Sequence, residues 1–259
     1  MKTYPALVLA GYTPAKPDPL ALAMGRHRKA LLPIAGKPMV YWIVKALRES
    51  PRVGTIAIVG IGPEDNIDFG TEVLFVPNQT RHFDNIMTGI RALQEAVPDL
   101  DYLLITSADI PLLKAETVDW FVRECEKLGA DFLYSIVEKD VMEGQYPGAA
   151  RSYVPMAEGK FCGGDLFFVR AAVAHNNDQL VRDLLERRKS AFQQVRLAGF
   201  RAVVKFLFRR LSIADAEKIA RRLVQCDARA IISPYADLGM DVDKPHQLEM
   251  VRKLVGAQA

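Results

Sequence analysis

Four short apolar runs, each stopped by turn residues, constrain this chain more than any other feature. Ala6-Leu-Val-Leu-Ala10 stops at Gly11 and Thr55-Ile-Ala-Ile-Val59 at Gly60. Glu72-Val-Leu-Phe-Val76 stops at Pro77-Asn78, and Tyr102-Leu-Leu-Ile-Thr106 at Ser107-Ala-Asp109. Runs apolar at every position belong to strands covered on both faces. Amphipathic stretches of helical length lie between and after them: Pro38 to Glu49, Phe83 to Ala96 and Ala115 to Leu128. Pro38 suits a first helical position, and Ser50-Pro51 ends that helix. The order β-α-β-β-α-β-α predicts an α/β fold: a Rossmann-like, mostly parallel sheet with helices on both faces. In such sheets ligands bind beyond the carboxyl ends of the strands, which is where the chemistry-bearing loops fall.

At 259 residues, half of them apolar and a quarter charged, the chain can bury a large core, which excludes intrinsic disorder. One domain spanning 1–259 is expected, with a helical insertion at about 185–228. Cys125, Cys162 and Cys226 are far apart, without metal-ligand spacing, so a reducing, cytoplasmic location is expected rather than a disulfide scaffold. Met1-Lys2-Thr3 runs directly into a strand-like stretch, and neither a signal peptide nor a membrane span is read. A net charge of +3 does not by itself imply a nucleic-acid partner. The charge is uneven, however: from Glu186 to Arg222 eleven Lys or Arg stand against three acids.

After Asp131–Val137 the pattern loosens. Gly144 to Lys160 reads as an irregular loop, Asp165–Val169 as a strand, Arg229–Ile232 as a last strand and Gln247–Val255 as a closing helix. Ser212-Ile-Ala-Asp215 has the form of a capping box.

The loop from Leu9, Ala10 and Gly11 to Lys29 holds two glycines and three prolines and ends on Arg26-His-Arg-Lys29. Backbone N–H groups after a first strand, with a lysine reaching in, cradle phosphates; a solvated surface loop explains the same residues. Ala6-Leu-Val-Leu-Ala-Gly11 followed by Lys29-Ala-Leu-Leu-Pro-Ile-Ala-Gly-Lys-Pro-Met39 resembles the opening signature of the MobA-like NTP transferases. These are nucleotidyltransferases of the nucleotide-diphospho-sugar transferase (glycosyltransferase-A) fold. The resemblance implies that Lys29 neutralises charge on the transferring phosphates. Tyr12 stands where the pattern has its second glycine, and no Arg precedes Met24-Gly25, leaving Arg26 or Arg28 as its substitute.

Thr106-Ser-Ala-Asp-Ile-Pro111 corresponds to the family's DxP element, which implies that Asp109 ligates Mg²⁺. A turn or helix-capping role is the ordinary alternative. Met240-Asp-Val-Asp-Lys-Pro-His-Gln-Leu-Glu249 resembles the terminal acidic element, with Asp243 as the second metal ligand and Asp241 as the next choice. Alternation along an extended segment puts both on one side. Here too the alternative is a cap, for the last helix. Asn78 and Asn85 fall where this fold contacts the base and ribose, and each offers both a donor and an acceptor; a strand-to-helix turn uses the same residues. Gly163-Gly164 permit close approach of a ligand, or form a bulge.

Together these residues imply Mg²⁺-dependent transfer of a nucleoside monophosphate from an NTP to a phosphorylated small-molecule acceptor, with release of pyrophosphate. Lys29, Asp109 and Asp243 are the catalytic set. A sugar-nucleotide glycosyltransferase, for which Asp241-Val-Asp243 is formally a DxD, and a non-catalytic nucleotide-binding module are the alternatives. Half of a dinucleotide fingerprint, Gly60-Ile-Gly62, is followed by Pro63 and does not support a dehydrogenase. Phe200–Leu211 interleaves cations with apolar residues. Contact with an anionic membrane, an anionic acceptor or a second copy is open to it, beside a plain solvated face.

Overall fold

The computed structural model describes residues 1–175 and 210–257. Its centre is an eight-stranded sheet. The strands are β1 (Tyr4–Leu9), β4 (Val53–Val59), β5 (Leu74–Val76), β6 (Tyr102–Ser107), β7 (Phe132–Glu138), β8 (Val154–Pro155), β9 (Lys160–Arg170) and β10 (Ala228–Ser233). Their order is β10-β7-β9-β6-β1-β4-β5, with β8 paired to β9. β1 runs parallel to β4 and β6, β5 parallel to β4, and β10 parallel to β7. Among the described strands of this sheet β9 alone runs the other way, antiparallel to β6, β7 and the short β8. A small hairpin, β2 (Pro33–Ile34) and β3 (Lys37–Pro38), lies apart.

The described helices are α1 (Pro19–Ala23), α2 (Met39–Glu49), α3 (His82–Ala96), α4 (Ala115–Leu128), α5 (Lys139–Gln145), α6 (Ile213–Val224) and α7 (Pro245–Gly256). They divide the core between the two sheet faces. Ala6 and Val8 of β1 pack with Ile43 and Leu47 of α2, Phe121 of α4 and Val251 of α7, while Leu7 packs with Ile90 and Leu93 of α3. Consecutive β1 residues therefore feed opposite layers, which is why that run has no polar alternation.

β1 is flanked by β4 and β6, and the chain passes outward from it in both directions. The Gly11 loop and the Asp109 loop thus leave neighbouring strand ends, with Leu9 in register with Ser107. This reversal of strand order opens the crevice. At the far margin, β10 has its outer edge covered by α6. Glu217 accepts the Ala230 N–H at 2.9 Å and Arg221 donates to the Ala228 carbonyl at 3.2 Å.

The short helix α5 precedes the expected loop of Gly144 to Lys160 and overlaps only its first two residues, and the short strand β8 lies within that loop. The closing helix starts at Pro245 rather than Gln247, because Pro245 takes the first helical position and Gln247 closes the cap. Pro38 pairs in the hairpin, and α2 starts one residue later. Ser212 and Asp215 form the expected capping box at α6. Most of the expected insertion and of Phe200–Leu211 lies outside the described residues.

Candidate active site at the strand ends

Lys29 begins a single 3-10 turn after the first loop, and Ala30, Leu32 and Ile34 bury the chain behind it. Ala35 and Gly36, at φ +46° and +77°, then turn the β2–β3 hairpin, with Ile34 opposite Lys37. Left-handed backbone at both central positions is what a tight two-residue hairpin requires. The Gly36-Lys37-Pro38 motif is therefore the turn of this hairpin.

The Lys29 ammonium lies 2.7 Å from Asp109 Oδ2 and 2.6 Å from Asp243 Oδ1. The three side chains are 14%, 25% and 57% exposed respectively. Burial pulls the ammonium down, but the Asp109 and Asp243 carboxylates overcome it and hold Lys29 above the ordinary lysine range. Asp109 follows β6 and also receives the Ser107 hydroxyl on Oδ1. Its main-chain carbonyl accepts the Val242 N–H at 2.9 Å, so the two acidic segments are joined by backbone as well.

Asp243 does not cap α7 with its carboxylate. Gln247 does the capping, accepting the Asp243 and Lys244 N–H groups on Oε1, both at 2.9 Å. Asp241 has a different partner, Arg151, in a largely enclosed ion pair. The segment is not a simple extended strand, so alternation does not bring 241 and 243 to one cation. Sequence reasoning missed Gln247 and Arg151. Gln247 carried a signal, an amide three residues past the cap position; Arg151 carried none.

Asn78 accepts the Tyr12 N–H on Oδ1 and donates from Nδ2 to the Tyr12 carbonyl, both at 2.9 Å. One donor and one acceptor of its amide are thereby used on the first loop. Asn85, buried at the start of α3, accepts the Gln79 N–H on Oδ1 at 2.6 Å. A Cβ at Gly11 would come within 2.1 Å of Asn85 Nδ2, so Gly11 is needed for that side chain to pass beneath the loop. Gly60, at φ +90°, is needed for a similar reason, since a Cβ there would meet the Ala10 carbonyl oxygen at 2.7 Å. Leu9 and Ala10 continue the sheet, with the Leu9 carbonyl taking the Ala108 N–H and the Ala10 N–H reaching the Val59 carbonyl.

Arg28 is engaged elsewhere: it pairs with Asp65, reaches the Gly60 carbonyl and lies over the Tyr12 ring with its guanidinium 5.4 Å from the centroid. It braces the loop through these contacts. Gly164 belongs to an irregularity between β7 and β9, where a Cβ would meet Ser135 Oγ at 2.2 Å; Gly163 faces open space.

Among the described residues no group of three or more His, Cys, Asp or Glu gathers as a metal cage. The two carboxylates converge on the Lys29 ammonium, and carboxylate oxygens are also the donors that Mg²⁺ takes. No described helix is long and apolar enough to cross a membrane.

The MobA-like NTP transferase domain matches residues 21–195. A solved hypothetical transferase from Thermus thermophilus is 30% identical, with 96% of this chain and 100% of that one covered and a TM-score of 0.79. A CMP:2-keto-3-deoxy-manno-octonic acid synthetase complexed with CTP shares the fold at 16% identity and a TM-score of 0.60, covering 100% of both chains. A nucleotidyl transferase from Methanothermobacter thermautotrophicus does so at 13% identity and a TM-score of 0.56, again over 100% of both. No curated protein matches the sequence. The crevice at the β1–β6 strand ends, with its lysine and paired carboxylates, is thus that of a chain belonging to the MobA-like NTP transferase family.

Proposed function

We propose that this protein transfers a nucleoside monophosphate from an NTP to a phosphorylated small molecule and releases pyrophosphate. The single observation that carries the reading is the convergence of Asp109, just after β6, and Asp243, just before α7, on the Lys29 ammonium. Such a cluster offers anion-neutralising and cation-binding groups at one point, which a polyphosphate with a divalent ion requires.

In this reading the first loop, Leu9 to Gly11, lies against the triphosphate, and Asn78 and Asn85 serve the nucleotide by fixing that loop. Asp109 and Asp243 would hold Mg²⁺, which would withdraw charge from phosphate oxygens. Lys29 offsets the charge that grows on the leaving pyrophosphate. An acceptor phosphate oxygen forms the new bond to the α-phosphorus, the bond to the β-phosphate oxygen breaks, and its electron pair leaves with pyrophosphate. A phosphate monoester is already an anionic nucleophile near neutral pH, so no side chain has to take a proton. Positioning and electrostatics supply the rate. The chain is read as one domain spanning 1–259.

The glycosyltransferase alternative needs Asp241 and Asp243 to clamp one ion, and the Arg151–Asp241 pair speaks against it. The test is incubation with each of the four NTPs, Mg²⁺ and a panel of phosphorylated acceptors, with pyrophosphate as the readout. Pyrophosphate formed only when NTP and acceptor are both present supports the reading. NTP binding with silence across a broad panel favours the non-catalytic module.

A further inference from the structure

Asp243 is the most exposed of the three central groups, and it stands on chain that precedes a helix. Such a carboxylate keeps one position only if the main chain beneath it is fixed. Gln247, 1% exposed, does the fixing. Its Oε1 accepts the N–H groups of Asp243 and Lys244, while its Nε2 donates to the Ala149 carbonyl at 2.9 Å. Only one orientation of the amide satisfies this set, since the reverse would point Nε2 at two donors.

The amide therefore joins the acid segment to the loop between α5 and β8, and two further links run the same way. Lys244 Nζ donates to the Ala150 carbonyl at 3.3 Å, and Arg151 pairs with Asp241. Three consecutive loop residues, 149 to 151, are each bonded to the segment 241–247. Ala150 itself stands at φ +52°, a left-handed conformation disfavoured for a residue with a Cβ. Such strain persists where flanking residues over-determine the backbone, as these bonds do.

We infer that Gln247 is a positioning residue for Asp243, setting the acid and the Ala149–Arg151 loop as one unit. What Asp243 then does rests on the functional reading above; the mechanical link does not.

Two variants separate the halves of the amide. Gln247→Glu keeps the accepting oxygen and loses the donor, whereas Gln247→Met keeps the bulk and loses both. Amide hydrogen exchange at Asp243 and Lys244 is expected to stay slow in the Glu variant and to accelerate in the Met variant. Tryptic cleavage after Arg151 should accelerate in both. Calorimetry with each of the four Mg·NTPs should show binding weakened about tenfold in the Met variant and held within about twofold in the Glu variant. A Met variant with wild-type nucleotide affinity, or with unchanged exchange at Asp243, would overturn the inference. If the wild-type protein binds none of the four nucleotides while the exchange pattern holds, the functional reading fails and the positioning of Asp243 by Gln247 stands.

Discussion

Val242 donates its backbone N–H to the Asp109 carbonyl at 2.9 Å, so the DxP loop and the terminal acid element are fastened main chain to main chain. The carboxylates on either side do not have to find each other unaided. Substituting either acid should leave this link, and hence the fold, in place.

Asp109→Ala is accordingly expected to retain the wild-type circular dichroism spectrum while losing Mg²⁺-dependent pyrophosphate release. Turnover at the wild-type rate in that variant would remove the carboxylate pair from the mechanism. Lys29→Ala should slow the chemical step by about 10²-fold, the scale of losing one preorganised group that stabilises developing charge. A neutral outcome in single-turnover kinetics would mean that Lys29 serves the acids alone.

The first loop offers a contrast between side chain and backbone. Tyr12 is tied to Asn78 only through its main-chain N–H and carbonyl. Tyr12→Gly should therefore shift urea-unfolding stability by less than about 1 kcal/mol beyond the usual glycine cost. Asn78→Ala leaves both main-chain groups without their partner and should cost about 1–3 kcal/mol. Equal effects from the two would show that the reciprocal bonds do not hold the loop.

Gly60→Ala tests the close approach beneath that loop. The φ of +90° and the 2.7 Å meeting with the Ala10 carbonyl both penalise a Cβ, and no flexible side chain is there to yield. A loss of about 2–4 kcal/mol is expected in chemical denaturation, from left-handed strain together with overpacking. Gly129→Ala, at φ +61° with open space around its Cβ position, carries the strain alone and should cost less.

Asp237 supplies a pH dependence. Burial pushes its carboxyl from 3.8 up to about 6, against the opposing hydrogen bonds from the Thr117 hydroxyl and from the Lys114 and Leu238 N–H groups. Between those values the folded protein keeps a proton that the unfolded chain has released. This contribution to stability is therefore full below about pH 4 and is lost as pH rises through about 6. The stability of the wild type relative to Asp237→Asn should fall across that window and level off above it. A flat difference curve from pH 4 to pH 7 would show that burial does not dominate.

Sequence patterns located elements well where the deciding interaction was local. The helix expected at Ala115–Leu128 ends as read because Gly129 supplies the left-handed residue that stops it. The strand runs of β1, β4 and β6 were legible from their unbroken apolar character. Lys29, Asp109 and Asp243 were named from motifs, and the structure brings them together. The contacts that Asn78, Arg28 and Asp241 make were not legible, because their partners Tyr12, Asp65 and Arg151 lie far along the chain. An amide that can read a base is chemically the same amide that can lace two loops, and only tertiary geometry separates the two uses.

The covering of β10 bears on how copies of this protein meet. With the Ala230 N–H and the Ala228 carbonyl already taken by Glu217 and Arg221, an incoming strand meets two occupied ladder positions on that flank. Joining of sheets through β10 is hindered there, even though Ile232 is exposed. Glu217→Ala would unlatch this margin, and gain of a concentration-dependent oligomer in that variant alone would show that two side chains keep neighbouring molecules apart.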